Sequence, residues 1–229
     1  MFPMGENIDF PSNGSTGQGY LAMPANGTGP GVLVIQEWWG LVDHIKDVCD
    51  RFAQEGFVAL APDLYRGAVA AEPDEAGKLM MAMALERAGK DLSGAIDALA
   101  ARSSSSGVGV VGFCMGGGLP LVLAPQRPDM VKAVVPFYGA IPWPDFQPDY
   151  TKMTAALEGH YAEVDDWAGP ERARALESEL RGLGKQAQVY IYPGTQHAFF
   201  NDTRPEVYDP DAASQAWQRT VAFFRSALA

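Results

Sequence analysis

Cysteine, basic residues and long apolar runs are all scarce in this sequence. Only two of its 229 residues are cysteine, Cys49 and Cys114, which are too few for a disulfide framework and fit no CxxC redox or zinc spacing. No apolar stretch approaches the roughly 20 residues of a membrane span, and residues 1–10 lack the basic region and apolar run of a signal peptide. We therefore expect a cytoplasmic protein with free thiols and no membrane partner.

The shortage of basic residues leaves a strongly acidic chain. Asp and Glu number 28 against 17 Lys and Arg, and the formal net charge is -11. Such a surface repels nucleic-acid phosphates and anionic lipid, and no run of Lys or Arg offsets it locally. We expect no nucleic-acid partner. The length and the 47% of hydrophobic residues fit one domain over residues 1–229, which we expect to be a monomer that acts on a small molecule.

Apolar segments alternate with amphipathic ones along most of the chain. The short apolar run 31–35 is typical of a strand buried on both faces, and residues 42–56 after it have helical periodicity. Residues 5–23, rich in Gly and Asn, predict an antiparallel edge hairpin. Further strands are predicted at 57–61, 108–111, 131–135, 153–157 and 188–192, and helices at 72–102 (one or two), 119–124, 170–183 and 212–228. This alternation predicts an α/β fold with a mainly parallel central sheet, helices on both faces and no separate cap domain.

The segment most informative about function is Gly-Phe-Cys-Met-Gly at residues 112–116. It is a G-x-C-x-G form of the nucleophile elbow, a tight turn between a strand and a helix. Glycine on either side prevents side chains from colliding across the turn. The N-terminus of the following helix favours a thiolate and an oxyanion. Cys114 is therefore predicted to be the nucleophile; the alternative is a buried structural cysteine.

A cysteine hydrolase also needs a histidine, and the chain has three. His197 follows the last predicted strand and precedes the last helix, which is where this order of elements places the catalytic histidine. His44 lies in the first helix, where we expect it to cap the helix or face solvent. His160 is the alternative to His197.

The acid that orients the histidine should follow the strand that ends near residue 158. Three carboxylates are available there, those of Glu163, Asp165 and Asp166, and the spacing favours Asp165 over Asp166. The resulting order of nucleophile, acid and histidine is that of α/β-hydrolases. A metal site built from His160, Asp165 and His197 has no supporting spacing, so we predict none.

The loop after residues 31–35 should supply one N–H group of the oxyanion hole. Trp38 and Met115 are the predicted pair of N–H donors. Glu37 is unexpected beside an oxyanion, so it is either turned away as a structural residue or takes part in proton transfer.

Taken together, Glu37 and the segments 61–65, 112–117 and 194–199 resemble the dienelactone hydrolase (carboxymethylenebutenolidase) family, over residues 8–224. The resemblance implies a cofactor-free cysteine hydrolase that opens an enol-lactone of chlorocatechol breakdown, with Cys114, Asp165 and His197 as its triad. It also implies that Glu37 contacts the resting thiol and helps to ionise it when substrate binds.

The sequence departs from the family pattern near the predicted substrate pocket. Asn201 stands where the family has an arginine four residues after the histidine, and Arg204 is the candidate that could hold a substrate carboxylate instead. An ester, lactone or thioester other than dienelactone is therefore an alternative substrate. An inactive binding protein and a thiol redox sensor are the alternatives from other functional classes. The predicted pocket residues are Trp39, Phe113, Tyr138, Phe199 and Arg204.

Overall fold

The structure is a computed structural model that describes residues 5–12, 14–143 and 146–229. The chain divides into two compact units: the first unit is Met1–Val108 with Leu228–Ala229, and the second unit is Gly109–Ala227. Among the described residues each unit contains four strands, because the strand that begins at Val108 lies almost entirely in the second unit. No helix of the described residues is long and apolar enough to cross a bilayer.

The first unit begins with an antiparallel hairpin. Its second strand pairs antiparallel with the strand that enters at residue 58, and that strand pairs parallel with the one at residues 31–35. The strand order is β1-β2-β4-β3. The hairpin predicted over residues 5–23 is confirmed. The elements are β1 (Glu6–Ser12), β2 (Ser15–Ala22), β3 (Gly31–Ile35), α1 (Asp43–Gln54), β4 (Val58–Pro62), α2 (Pro73–Ala82) and α3 (Leu85–Ala100).

Burial in this unit follows the apolar pattern closely, with one exception. Every residue of β3 and β4 is buried, as expected for continuous apolar runs. Helix α1 buries Cys49 and Phe52 on its apolar face. The expectation that His44 caps the helix or faces solvent is wrong, because it is 2% exposed. Position 44 precedes buried Val48 by one helical turn, so the buried face extends to it.

The second unit carries the strand order β5-β6-β7-β8. The β6–β7 and β7–β8 pairs are parallel. Rings of Phe113, Phe137 and Phe200 pack with centroids 4.9 to 5.4 Å apart and form part of its core. The elements are β5 (Val108–Phe113), α4 (Met115–Gln126), β6 (Val131–Phe137), β7 (Ala156–Val164), α5 (Pro170–Gly182), β8 (Ala187–Gln196) and α6 (Pro210–Ala227).

Two predicted elements of this unit differ from the structure. A strand at 153–157 was predicted, but β7 runs from Ala156 to Val164 and includes Gly159 and buried His160. Because β7 includes polar residues, a search for apolar runs does not detect this strand. Its pairing with a neighbouring strand on each side specifies it instead. A helix is predicted at 119–124, but α4 begins at Met115, directly after Cys114, and continues through Pro120.

Candidate active site

Cys114 occupies a strained turn between β5 and α4. Its backbone has φ 55° and ψ −122°, a conformation that is uncommon for any residue other than glycine. The N–H of Cys114 donates to the carbonyl of Phe137 at 3.1 Å, which ties the turn to β6. A Cβ atom on Gly112 would overlap the carbonyl oxygen of Gly116, so only glycine fits there. The turn therefore raises a half-buried thiol off the strand end, as the glycine pattern predicts.

Cys114 is the N-cap residue of the helix that follows. Met115 is the first residue of α4 and is buried, and the turn is closed by the Gly117 N–H, which donates to the Cys114 carbonyl at 2.9 Å. The first turn of a helix carries backbone N–H groups without intrahelical partners and the positive end of the helix dipole. Negative charge near Cys114 is stabilised by both.

Asp165 and His197 meet where β7 and β8 end. Nδ1 of His197 lies 2.7 Å from one carboxylate oxygen of Asp165. The other oxygen accepts the backbone N–H groups of Trp167 and Ala168, each at 2.9 Å. The Asp165 side chain is 1% exposed and that of His197 is 29% exposed. Because a carboxylate only accepts hydrogen bonds, Nδ1 of His197 carries a proton.

Asp165 and the nearby Cys114 thiol set the charge of the His197 ring. Burial alone would lower the pKa of His197, but its interactions with Asp165 and Cys114 outweigh burial and raise this pKa to about 10. Burial opposes ionisation of Asp165, yet the hydrogen bond from His197 holds the pKa of that carboxyl below its usual value. At neutral pH the ring is therefore a cation between a carboxylate and a thiol.

Aromatic side chains enclose the His197 ring on two sides. Tyr138 and Trp167 approach it edge-on, with centroids 5.0 and 5.6 Å away. Phe199 packs against Tyr138 at 5.6 Å. Tyr138 and Phe199, predicted from the sequence as pocket residues, are fully buried here, and their role as pocket residues stays a prediction. The sequence analysis does not name Trp167. The sequence signal for Trp167 was its position two residues after Asp165, in the turn whose backbone N–H groups donate to the Asp165 carboxylate.

Comparison with known proteins identifies the family to which this arrangement belongs. Residues 18–228 match the model of the dienelactone hydrolase family. The chain belongs to this family. A protein of Aquifex pyrophilus named protein usf is 42% identical, over 98% of this chain and 100% of its own length. A protein of Aquifex aeolicus, provisionally named a carboxymethylenebutenolidase, is 36% identical over the same shares of the two chains.

Solved structures agree with the family assignment. A crystal structure from Klebsiella pneumoniae, provisionally described as a dienelactone hydrolase, has a TM-score of 0.87 and 29% identity, covering 96% of this chain and 98% of that one. The resemblance found in the sequence is thereby confirmed, and with it the α/β-hydrolase fold. Membership of the dienelactone hydrolase family supports ester or lactone hydrolysis as the class of reaction.

Arg204, the predicted anion anchor of this dienelactone hydrolase family member, already has an anionic partner. Its Nε and Nη2 atoms lie 2.9 and 2.8 Å from one carboxylate oxygen of Glu206. A substrate carboxylate that bound Arg204 would have to compete with Glu206. Asn201 is buried, and its side-chain oxygen accepts the backbone N–H of Thr203 at 3.1 Å.

The other predicted residues of the family site belong to the first unit. Glu37 follows β3 and is 1% exposed. Trp38 and Trp39 are half-buried and form an edge-to-face pair with centroids 5.2 Å apart. The Trp39 carbonyl accepts the backbone N–H of Ala70 at 2.9 Å. The roles assigned to these residues from the sequence stay predictions.

His160, the alternative catalytic histidine, is held away from solvent by other partners. Its ring is 0% exposed, with Nδ1 2.9 Å from the Tyr192 hydroxyl and Nε2 3.0 Å from that of Thr220. Among the described residues, no group of three His, Cys, Asp or Glu side chains is arranged to hold a metal ion.

Proposed function

We propose that this protein hydrolyses a small ester or lactone through an acyl intermediate on Cys114. One observation carries the proposal: the His197 ring hydrogen-bonds the buried Asp165 carboxylate at 2.7 Å, and the nearby Cys114 thiol helps to raise the pKa of the same ring. The nucleophile is at a strained turn in front of a helix N-terminus, and the histidine is a cation. These features support a thiolate–imidazolium pair, which is the reactive form of a catalytic cysteine.

In the first half-reaction the Cys114 sulfur attacks the substrate carbonyl carbon. The electron pair of the C=O double bond moves to oxygen, and the N–H of Met115 with the α4 dipole stabilises the resulting oxyanion. When the oxyanion collapses, the C–O bond to the leaving group breaks. His197 donates its proton to the departing oxygen and becomes neutral. In a lactone this oxygen stays attached to the acyl group.

In the second half-reaction water replaces the thiolate. Neutral His197 takes a proton from water while the water oxygen adds to the thioester carbon. Collapse of this second oxyanion breaks the C–S bond, so Cys114 leaves as a thiolate and the product as a carboxylic acid. Asp165 accepts the hydrogen bond from Nδ1–H throughout, which keeps the ring oriented and stabilises its charged form.

Two residues of the first unit enter the proposal on sequence grounds. Trp38 would supply the second oxyanion N–H group, since it follows the strand that does so in this fold. Glu37 would contact the resting, protonated thiol and help to ionise it by accepting its proton when substrate binds. The family resemblance supports both assignments.

The surroundings of His197 favour a substrate with an apolar or planar group. Half-buried Trp167 packs edge-on against the His197 ring, with buried Tyr138 behind it, and aromatic walls with a few polar groups are typical of small-molecule sites. A dienelactone-like enol-lactone fits this description, and so does an unrelated small ester or thioester. A panel of lactones, esters and thioesters assayed on the purified protein would rank these classes.

The acyl-cysteine is tested with 4-nitrophenyl acetate. After rapid acid quenching, we expect one acetyl group on the peptide that contains Cys114. Cys114→Ala should abolish both turnover and the adduct, and Cys49→Ala should preserve both because Cys49 is fully buried in α1. Undiminished turnover in Cys114→Ala would refute the mechanism. A folded wild-type protein without turnover on the whole panel would favour a binding protein.

A further inference from the structure

The parallel ladder between β7 and β8 changes register just before the candidate site. Pairing partners are 30 positions apart from Leu157 and Ala187 as far as Ala162 and Tyr192, but 32 apart at Val164 and Gln196. One residue of β7, Glu163, is therefore faced by residues 193–195 of β8. The strand β8 thus contains a bulge of two extra residues.

This register shift decides which side chain meets the histidine. Asp165 and His197 are also 32 positions apart, so they follow the shifted register. Without the two extra residues, Asp165 would stand opposite Thr195. A change of register reassigns every residue pair beyond it, so the hydrogen bond between Asp165 and His197 depends on the bulge.

Three local features hold the bulge in shape. Pro193 has no N–H group that pairing would have to satisfy. Gly194 has φ +73°, which glycine adopts without strain, and its N–H donates to the Glu163 carboxylate at 2.8 Å. Thr195 is 3% exposed, and its hydroxyl donates to the Tyr192 carbonyl at 2.8 Å. The Gly194 bond joins the bulge to the side chain of Glu163 in β7.

We propose that Glu163 is a positioning residue: its carboxylate fixes the β8 bulge against β7 and so sets His197 opposite Asp165. This inference rests on the proposed function, in which the two residues act together. Hydrogen bonds from an amide to a carboxylate are stronger than those to neutral acceptors. Glu163 was one of three acids considered for the triad; the structure directs its carboxylate to the backbone instead.

Glu163→Ala is the primary variant, and Asp166→Ala is its matched control. Both remove one exposed acid beside the site, but Asp166 makes no hydrogen bond or ion pair within the described residues. We expect Glu163→Ala to lower kcat by about 5-fold, as for the loss of one hydrogen bond, with little change in KM. Glu163→Gln keeps an acceptor oxygen and should recover most of kcat. Asp166→Ala should match the wild type.

A measurement without substrate separates this inference from the proposed function. The Nδ1 proton of His197 can be followed by low-field proton NMR, and the ring can be titrated. Glu163→Ala should weaken the Nδ1 signal and lower the pKa of His197 more than Asp166→Ala does. Thr195→Val loosens the bulge from inside and should act in the same direction.

The titration decides the question even if no ester is turned over. If Glu163→Ala and Asp166→Ala give the same His197 titration and the same Nδ1 signal, Glu163 acts only through its charge and the inference is overturned. If wild-type turnover fails while the two titrations differ, the positioning role stands and the proposed function falls.

Discussion

Two histidines on the same pair of strands have opposite electrostatic characters. His160 lies within β7, while His197 follows the end of β8, and each has a carboxylate nearby. The Asp165 oxygen is 2.7 Å from His197, but the Glu158 oxygen is 3.4 Å from His160. Burial lowers the pKa of His160 despite Glu158, and the charge of Arg219 lowers it further. The pKa of His197 is instead raised to about 10.

The difference shows how geometry selects a charge state. Both ring nitrogens of His160 are occupied by hydroxyl groups, those of Tyr192 and Thr220, which bond a neutral imidazole well. His197 instead bonds a carboxylate held by two backbone N–H groups, and that carboxylate favours imidazolium. One ring therefore links β7 to β8 and α6, while the other is held as a cation beside Asp165.

The strongest way to break this comparison is to replace each histidine by glutamine. His197→Gln should lower kcat by about 10³-fold, within the range for loss of a general acid–base, with little change in melting temperature. His160→Gln should keep kcat near wild type but lower the melting temperature. The buried hydroxyls of Tyr192 and Thr220 would lose their hydrogen-bond partner, and leaving a buried polar group without its partner costs about 1–3 kcal/mol. Steady-state assays and thermal melts on both variants measure this. A well-folded, inactive His160→Gln protein would contradict the division of roles.

The next comparison is between two carboxylates, those of Glu37 and Glu158. If Glu37 activates the thiol, Glu37→Gln should reduce kcat by about 10²-fold, the lower end of the range for general-base assistance, because His197 remains. Glu158→Gln is the matched control, and it should leave kcat near wild type. Measuring kcat, melting temperature and alkylation rate on both variants separates the roles. A normal kcat with a lowered melting temperature in Glu37→Gln would make Glu37 structural.

The reactivity of the Cys114 thiol should depend on His197 and not on His160. Iodoacetamide is expected to label Cys114 before Cys49, because Cys49 is 0% exposed and burial raises the pKa of its thiol. His197→Gln should slow Cys114 labelling by about 10-fold, as expected for a thiolate that loses an adjacent cation. His160→Gln should not change it. Peptide mass mapping after substoichiometric labelling gives the rates, and preferential labelling of Cys49 would disprove the assignment.

The two histidines should affect stability at opposite ends of the pH scale. The folded pKa of His197 is raised above 6.5, so its contribution is complete below pH 6.5 and is lost as pH rises through about 10. The folded pKa of His160 is lowered, so its contribution is present above pH 6.5 and is lost as pH falls through the folded value. Urea unfolding across this range should show a flatter alkaline limb in His197→Gln and a flatter acid limb in His160→Gln. The reverse pattern would contradict both charge states.

The smallest expected effect concerns Arg204, which follows His197 in the chain. Its ion pair with Glu206 is partly exposed, and such pairs are worth about 0.2–1 kcal/mol. If Arg204 also binds a substrate carboxylate, Glu206→Gln should lower KM for a carboxylated lactone by about 3-fold, in line with that energy, and leave a neutral ester unchanged. Arg204→Met should raise KM for the carboxylated lactone alone. Equal changes on both substrates would make Arg204 structural.

The sequence alone was sufficient for those features that depend on neighbouring residues. The apolar run of β3, the hairpin before it and the helix α1 follow from periodicity within a few residues. The elbow around Cys114 follows from a steric conflict between positions 112 and 116, which glycine resolves locally. The position of His197 relative to the last strand and helix was equally visible in the chain order.

Only the tertiary structure decided the features that depend on distant segments. The extent of β7, the burial of His160 and the contact of Asp165 with His197 could not be read from the local pattern, although spacing favoured Asp165 as the acid. Each depends on hydrogen bonds between β7, β8 and α6, whose residues are about 30 to 60 positions apart. The two-residue bulge shifts the pairing and places Asp165 against His197. No local propensity encodes that shift, because register is a property of two strands together.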